Sequence, residues 1–546
     1  MQAGIRTSRI RRQWLMVAVI ALAFAVVWVA GTYHLSWLAA AGQSDSASVV
    51  LEGHAMAEGN VLLHGWTVAA DSFWLTNDAL TGLFGLAEGV GPALLHQVPV
   101  AIDVVLVGLA TWLARPRSGG LRPWTGAALA FAIVGLPSLL TVHLLLQDAG
   151  HTATILYCLL AFACFISGEF TKRWLLGVAG LAVAVLADPF SLVVGVLPIA
   201  AAGGLWAVCE RRWQSLSVPV AGAALAVALA KLGRLAVERL GGFHTSAAPL
   251  LVPPHQWPDN LRGGAVLLWH LAGGGIPPSP SPARLLISAG TSLGAALAAA
   301  GLAMGTYELV RDLVQGRRRA AGPIADRGAP EWHLDHLLTA AVYADMAVFV
   351  VLAQSPSAGD VGRYLIPALV YGAVLAGRRL GSALGRWPGR PAQVGQATIV
   401  AACGLAYLGG FAAGLRGPVT YDPPQQLAEW LSSQHLHHGW GGYWQSSVVT
   451  VDSRQAVIVR PVRTVNGRLT PLIGNASTAW YTDPAKGDRR FVAFNPGEYV
   501  SGEASVSIDS ASAQATFGPA SEVHQVGPYE VLVWDHPLVL PRSPTG

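Results

Sequence analysis

Charge is what this sequence has least of. Only 12% of its 546 residues are Asp, Glu, Lys or Arg, against about 25% in a typical soluble domain. That shortage, with 53% hydrophobic residues and a mean hydropathy of +0.46, excludes a disordered chain, a coiled coil and an ordinary cytosolic enzyme. The 35 basic residues exceed the 31 acidic ones by four, so no electrostatic case exists for a nucleic-acid partner. Cysteine is scarce as well. Cys158, Cys164, Cys209 and Cys403 lie in or beside apolar segments, which excludes a disulfide-stapled secreted fold. No HExxH, P-loop, GxGxxG or Ser-His-Asp order stands in a supporting context. What the chain does have is long apolar runs, 62 Gly, 34 Pro and 19 Trp, the composition of a polytopic α-helical membrane protein.

A bilayer core of about 30 Å takes about 17–25 residues of helix. The apolar runs place about eleven spans, at 14–37, 92–113, 124–145, 152–168, 174–187, 190–208, 217–236, 285–305, 336–353, 364–377 and 396–414. The first is too long for a cleavable signal, and Ala39-Ala40-Ala41 follows a full-length span. Asp188-Pro189 divides 174–208 into a hairpin with its tip outside. Orientation follows the basic residues. Arg6, Arg9, Arg11 and Arg12 put the N-terminus in the cytoplasm; Arg115, Arg117, Lys172, Arg173, Arg211, Arg212, Arg317–319, Arg327, Arg378, Arg379, Arg386 and Arg390 fall on inside loops. No Lys or Arg occurs between Arg12 and Arg115, an interval that holds the first external loop. This reading gives a plasma-membrane protein with a transmembrane domain over 1–415 and a soluble extracytoplasmic C-terminal domain over 416–546.

The first external loop, 42–91, is acidic and rich in His and Trp. Val49, Val50, Met56, Val61 and Leu62 are spaced for an amphipathic helix in the interface. A second external loop, 241–284, carries Trp257, Trp269 and the run Gly273-Gly274-Gly275-Ile276-Pro277-Pro278-Ser279-Pro280, a flexible hinge followed by a stiff segment. In the tail, charge returns and the runs shorten. A helix is expected at 425–434, strands at 447–451, 456–462, 491–494 and 529–534, and a Gly/Trp/Tyr-rich loop around 439–444, giving a small α/β or α+β domain. Asn475-Ala476-Ser477 fits the glycosylation pattern, which is too frequent by chance to carry weight.

Asp45, Asp71, Asp78, Asp148 and Asp188 are placed on one face beside the bilayer, where they can act on a substrate with a polar head and a lipid tail. Glycosyl transfer from a polyprenyl phosphate needs a carboxylate to take the acceptor's proton and a cation or metal for the departing phosphate. Asp45, just past the first span, is the expected catalytic base. Arg363, at the outer end of a late span, is the expected phosphate partner, its alternative being a snorkelling arginine. His64, Trp66 and Asp71 of the first loop are further substrate-binding candidates. Asp148 and His151, four residues apart in a short turn, form an oxygen-plus-imidazole pair suited to a divalent metal such as Mg or Mn; simple turn residues are the alternative.

The layout resembles the GT-C superfamily of lipid-phospho-sugar-dependent glycosyltransferases, among them the protein mannosyltransferases and the aminoarabinose and arabinosyl transferases. That resemblance implies a catalytic Asp in the first external loop, matched by Asp45. It also implies an acidic or Asp/His element between spans three and four, matched by Asp148 and His151, and a soluble external tail, matched by 416–546. The family often pairs acids in the first loop, whereas Asp45 stands alone between Ser44 and Ser46. The implied partners are the bilayer, a polyprenyl-phosphate-linked sugar and a cell-envelope glycan or protein acceptor. The Ala, Gly, Arg and Trp usage is similar to that of actinobacterial membrane proteins. Two other readings remain open: a secondary transporter using Asp103, Asp345, Lys231 and Arg234 within the spans, and a non-catalytic protein that keeps the GT-C-like fold.

Overall fold

A computed structural model describes residues 2–39, 42–115, 122–166, 170–210, 213–246, 251–276, 281–319, 330–352, 359–384, 390–417, 423–482, 488–496 and 508–541. Ala40, Ala41, Arg117, Arg211, Arg212, Pro277, Pro278, Ser279, Pro280, Arg327 and Arg386 lie outside the described residues. In chain order the helices of the apolar part are α1 (Gln2–Ala39), α2 (Ser44–Ala57), α3 (Ala79–Glu88), α4 (Leu94–Leu113), α5 (Arg122–Gly135), α6 (Leu139–Leu145), α7 (Thr152–Phe165), α8 (Lys172–Ala187), α9 (Leu197–Glu210) and α10 (Trp213–Arg239). They continue with α11 (Trp257–Leu271), α12 (Pro282–Arg319), α13 (Pro330–Leu352), α14 (Ile366–Leu384) and α15 (Arg390–Gly414).

Among the described residues six helical segments are long and apolar enough to cross a membrane: Ala18–Ala39, Leu94–Leu113, Ser217–Arg239, Pro282–Val314, Leu334–Leu352 and Ala397–Gly414. The span expected at 124–145 is bent by 80° between α5 and α6. Pro137 cannot donate to the helix ladder, and the Ser138 hydroxyl accepts the Thr141 N–H to start α6 afresh. Counted as one, the pair makes a seventh crossing. The remaining expected spans fall on shorter or less apolar helices. α7, α8 and α9 have 14, 16 and 14 residues, because their apolar runs continue into turns and Asp188-Pro189 breaks the hairpin as expected. α14 carries Arg378 and Arg379 in its last turns, both buried and paired with Asp335, Arg379 also with Glu308. Small residues let the helices close on one another: a Cβ on Gly126 of α5 would stand 2.2 Å from the Gly377 carbonyl of α14, and one on Gly377 2.4 Å from the Gly126 carbonyl.

The first loop does form a helix, α2, but it does not lie on a surface. Every residue from Ser46 to Gly53 is buried. Ser44, Ser46, Ala47, Ser48 and Gly53 give it a thin profile, so neighbours approach from several sides. α3 meets it at Gly53 and Gly82, where either glycine's Cβ would come within 2.7 Å of the opposite backbone. Between them, Phe73 adopts φ +50° and leads into a π-helical turn, Trp74–Asp78. The Phe73 N–H donates to the Ala187 carbonyl at 2.9 Å, seating this turn on the tip of the α8–α9 hairpin.

The tail adds helices α16 (Pro423–Ser433), α17 (Tyr443–Asp452), α18 (Ala479–Thr482) and α19 (Ser510–Phe517). Two strands of the apolar part, β1 (Trp66–Val68) and β2 (His244–Thr245), precede the tail strands β3 (His438–Gly441), β4 (Ile458–Val465), β5 (Arg468–Pro471), β6 (Ala476–Ser477), β7 (Phe491–Phe494), β8 (Glu522–Val526) and β9 (Tyr529–Val533). The larger sheet runs β5-β4-β3-β7-β9-β8, with β3 parallel to both neighbours and the other pairs antiparallel. Its central strand β7 is apolar and buried at every position, as a strand covered on both faces must be. Phe491 and Ala493 pack with Leu427, Leu431 and Val449 of α16 and α17; Val492 and Phe494 pack with Ala513 of α19 on the opposite face. The expected strands at 456–462, 491–494 and 529–534 and the helix at 425–434 are present.

The strand expected at 447–451 is instead the middle of α17, and the expected loop at 439–441 is strand β3. The β-branched run Ser447-Val448-Val449-Thr450-Val451 favours a strand locally, but packing overrides it. On a helix, Val448 and Val451 enter the cluster around α2 while Val449 enters the sheet core. A second, smaller sheet then ties three distant segments: β1 pairs parallel with β2 and antiparallel with β6.

The Gly53–Gly82 crossing gives the first prediction. Gly82→Ala or Gly53→Ala drives a methyl group into backbone, which has no rotamer to escape through. Each is expected to cost about 1–3 kcal/mol, as overpacking typically does, read as a lowered melting temperature in detergent. An unchanged melt for both would refute the crossing.

Candidate active site

One cavity brings the first loop, the turn between α6 and α7, the start of α14 and the tail together. It encloses about 410 Å³, its mouth included. Asp45, Ser48, Val49 and Glu52 line it from α2; Ala69, Asp71, Ser72 and Phe73 from the segment after β1; Ala149, Arg363 and Asn475 complete it. Positions 45, 48, 49 and 52 lie on one face of a 3.6-residue helix, so α2 presents a stripe whose two ends are carboxylates. The Ser46 hydroxyl on the neighbouring flank accepts the Ala149 N–H at 3.3 Å and locks the 147–151 turn against the helix.

Arg363 is the only basic residue of this lining. It stands on the short 3-10 segment Gly359–Leu365, its guanidinium 5.3 Å from the Tyr364 ring centroid. Burial opposes its charge, but Tyr364, Asp45 and Asp71 outweigh burial and hold it above its ordinary value. Its Nε is buried without a hydrogen-bond partner among the described residues. Asp45 accepts a hydrogen bond from the Tyr443 hydroxyl at the first residue of α17, and Asn475 Nδ2 donates to the same hydroxyl at 2.6 Å. Burial, and then the Asp45 charge, push the Tyr443 phenol well above its ordinary value, so it is a donor. Asp71 is raised, chiefly by burial, with His151 and Arg363 acting in the opposite direction.

Behind the cavity the acids are arranged differently from one another. Glu52 and Asp78 meet where α2 crosses α3 and are 3% and 0% exposed. Burial lifts Glu52 to about 8, and burial together with Glu52 and Asp78's other neighbour, Asp148, lifts Asp78 well above the carboxylate range. Asp148 is wholly buried; Asn77 donates to its Oδ1 at 3.1 Å and to its backbone carbonyl at 2.6 Å, and Thr81 to its Oδ2 at 3.4 Å. Burial pushes its carboxyl up to about 7 despite those donors. Asp188 is held below its ordinary value. Burial works against this, but His151 Nδ1 at 2.7 Å, Thr154 at 2.6 Å and the Phe190 N–H at 2.9 Å prevail. The His151 ring, with Phe73, Phe190 and Tyr364 around it, backs the cavity floor.

Of the residues expected from sequence, Asp45, Asp71 and Arg363 converge on the cavity. Asp148 and His151 flank Ala149 and are engaged by separate partners, Asn77 with Thr81 and Asp188 respectively. Among the described residues no group of three His, Cys, Asp or Glu side chains is placed to hold a metal. His64 and Trp66 are not part of this lining. His64 is exposed, its Nδ1 2.8 Å from the Gly241 carbonyl, and Trp66 is buried in an apolar cluster edge-on to Trp480. Asp345, a transporter candidate, accepts the Ala368 N–H at 2.8 Å and so satisfies an amide in the first turn of α14; Arg234 pairs with Glu238. The sequence reading passed over Glu52, seven residues from Asp45 on the same helix, a spacing visible in the sequence. Tyr443 and Asn475 left no comparable signal.

The Glu52 shift has a consequence for stability. Between its ordinary 4.5 and about 8, the folded chain keeps a proton that the unfolded chain has released, so stability falls as pH rises through that window. Glu52→Gln removes this loss. Its melting temperature in detergent should gain on the wild type from about pH 5 to about pH 9; parallel melting profiles would show that Glu52 ionises freely.

No family model and no curated protein sequence matches the chain. Solved structures do. ArnT from Cupriavidus metallidurans in the apo state matches with a TM-score of 0.52 and 14% identity, over 97% of this chain and 99% of that one. The same protein bound to undecaprenyl phosphate matches with a TM-score of 0.49 and 14% identity, over 96% and 99%. The arabinofuranosyltransferase AftD from Mycobacteria matches with a TM-score of 0.44 and 14% identity, over 97% of this chain and 40% of its own length. The near-complete two-way coverage in the first comparison shows that this chain shares the fold of that structure, a bundle of membrane helices with a C-terminal sheet region.

Proposed function

We propose that this protein is a GT-C-like membrane glycosyltransferase that moves a sugar from a polyprenyl-phosphate donor to a cell-envelope acceptor, a glycan or a protein, on the outer face of the membrane. The observation that carries the reading is the pairing of Asp45 and Arg363 in one cavity beside the end of the first span. One oxygen of Asp45 is held by Tyr443; the other has no hydrogen bond among the described residues. Glu52, whose value of about 8 keeps it protonated at neutral pH, is a poor base there. Asp45 thus takes the acceptor hydroxyl's proton as the hydroxyl oxygen bonds to the anomeric carbon. The bond from that carbon to the phosphate oxygen breaks on the opposite side, with inversion, and the departing polyprenyl phosphate gains a negative charge. Arg363 neutralises that charge in a site largely withdrawn from water, where a fixed guanidinium is worth more than in bulk solvent. ArnT, whose fold the chain shares, has been solved with undecaprenyl phosphate bound, a ligand of the chemistry this cavity would accommodate. The Lys- and Arg-free interval from 13 to 114, which contains α2, supports an outward-facing cavity.

Two variants test this reading with a panel of undecaprenyl-phosphate-linked sugars, release of undecaprenyl phosphate being measured. Asp45→Asn should lower kcat by about 10²–10⁴-fold, the usual contribution of a general base, with its melting temperature in detergent retained. Arg363→Gln should lower kcat by about 10²–10³-fold. Undecaprenyl phosphate should also raise the melting temperature of the wild type but not of Arg363→Gln. Full transfer by Asp45→Asn would remove the base assignment.

A further inference from the structure

Tyr443 and Asn475 come from the tail, 398 and 430 residues along the chain from Asp45, yet both reach it or its cavity. Each is fixed by a separate tether. Tyr443 opens α17, which is bound to α2 by Val448 and Val451 in a shared apolar cluster and by the Ser48 hydroxyl, 3.2 Å from that of Ser447. Asn475 sits at φ +48°, a left-handed conformation that asparagine tolerates better than most residues. It immediately precedes β6, which pairs with β1, and the Thr478 N–H donates to the Gly65 carbonyl at 2.8 Å. The two tethers meet at one hydroxyl. Tyr443 accepts from Asn475 and donates to Asp45, so its rotor has a single direction.

We propose that Tyr443, oriented by Asn475, is the positioning residue of the Asp45 carboxylate. The inference rests on Asp45 being the base. A carboxylate on a side chain with two free torsions samples several rotamers, and a charge-assisted hydrogen bond at one oxygen selects one of them. That leaves the second oxygen for the acceptor hydroxyl. The other charged or titratable groups facing Asp45 are Arg363 from the 3-10 segment, Glu52 from its own helix and Asp71 from the segment after β1. Asn475 is uncharged, and its amide is engaged on Tyr443.

Tyr443→Phe keeps the ring and its packing while removing only the hydroxyl. Assayed in the full-length protein with the undecaprenyl-phosphate-linked donor on which the wild type is active, it should lower kcat about tenfold or more, as loss of a hydrogen bond to a charged group does. KM should change little, so that the loss falls on kcat and not on donor binding. Asn475→Ala, which frees the hydroxyl without removing it, should give a smaller loss of kcat, again with KM little changed. A loss that falls on KM in both variants, or that comes with a lowered melting temperature in both, would mark a structural role and overturn the proposal, as would wild-type behaviour in both. If Asp45→Asn itself retains transfer, it is the base assignment that fails; if Asp45→Asn is inactive and Tyr443→Phe is not, only the positioning role fails.

Discussion

Everything at the cavity depends on one thin helix being admitted into the middle of the molecule. α2 is built from Ser, Ala and Gly on the sides that meet other backbone, and Gly53 lets α3 approach until main-chain atoms are in contact. A helix with ordinary side chains at these positions would stand several ångströms further from its neighbours, since interaxial distance follows side-chain size. Asp45 would then lose Tyr443, Glu52 would lose Asp78, and the Ser46 link to the 147–151 turn would open. The constraint is steric before it is electrostatic. It also explains why a segment that looks amphipathic in sequence is buried nearly all round: the environment it enters is made of protein on several sides.

Once α2 is enclosed, the carboxylates on it and packed around it have to be compensated, and the molecule does this in three ways. Asp188 keeps its charge by gathering an imidazole, a hydroxyl and a backbone amide. Glu52 and Asp78 have no cation between them and hold protons instead, which is the cheaper route where desolvation dominates. Asp45 takes a third course, with a phenolic donor on one side and the Arg363 charge nearby. Acids of one sequence class therefore end with different protonation and different capacities, and only the environment separates them. A cavity holding Asp45, Glu52 and Asp71 beside a single guanidinium would repel a phosphate if all three were ionised. Protonation of Glu52 near neutral pH reduces that repulsion.

Much of the architecture was legible because membrane solvation imposes strong rules. Apolar runs had to become helices, Asp188-Pro189 had to break one, and the return of charge after residue 415 had to mark different packing. Asp45, Asp71 and Arg363 were legible for a related reason: an ionisable group at the edge of an apolar run is costly and seldom idle. The partners of Asp148 and His151 were not legible, because sequence spacing fixes where these residues start but not where they point, and Asn77, Thr81 and Asp188 engage them. The contacts of His64 and Trp66 were not legible either: a loop rich in His and Trp has the composition of a binding loop, and here one side chain bonds the Gly241 carbonyl while the other lies in an apolar cluster. Residues 447–451 alternate like a strand, and nothing local announces that two of those valines are needed against a helix four hundred residues away.

That separation bears on how the cavity is assembled. The cavity draws on positions 45–52, 69–73, 149, 363 and 475, so nearly the whole chain must be in place before its walls exist. Closing so long a loop is costly in entropy, though the cost grows only logarithmically with length. The three-stranded sheet of β1, β2 and β6 offsets part of it by joining the first loop, the segment after α10 and the tail through backbone hydrogen bonds. Without the tail, α2 would still carry Asp45 to the membrane edge, but with no donor to hold its carboxylate and no Asn475 at the cavity wall. Under the proposed function, a base ordered only when the last segment has docked could not act on a lipid-borne sugar in a half-folded chain.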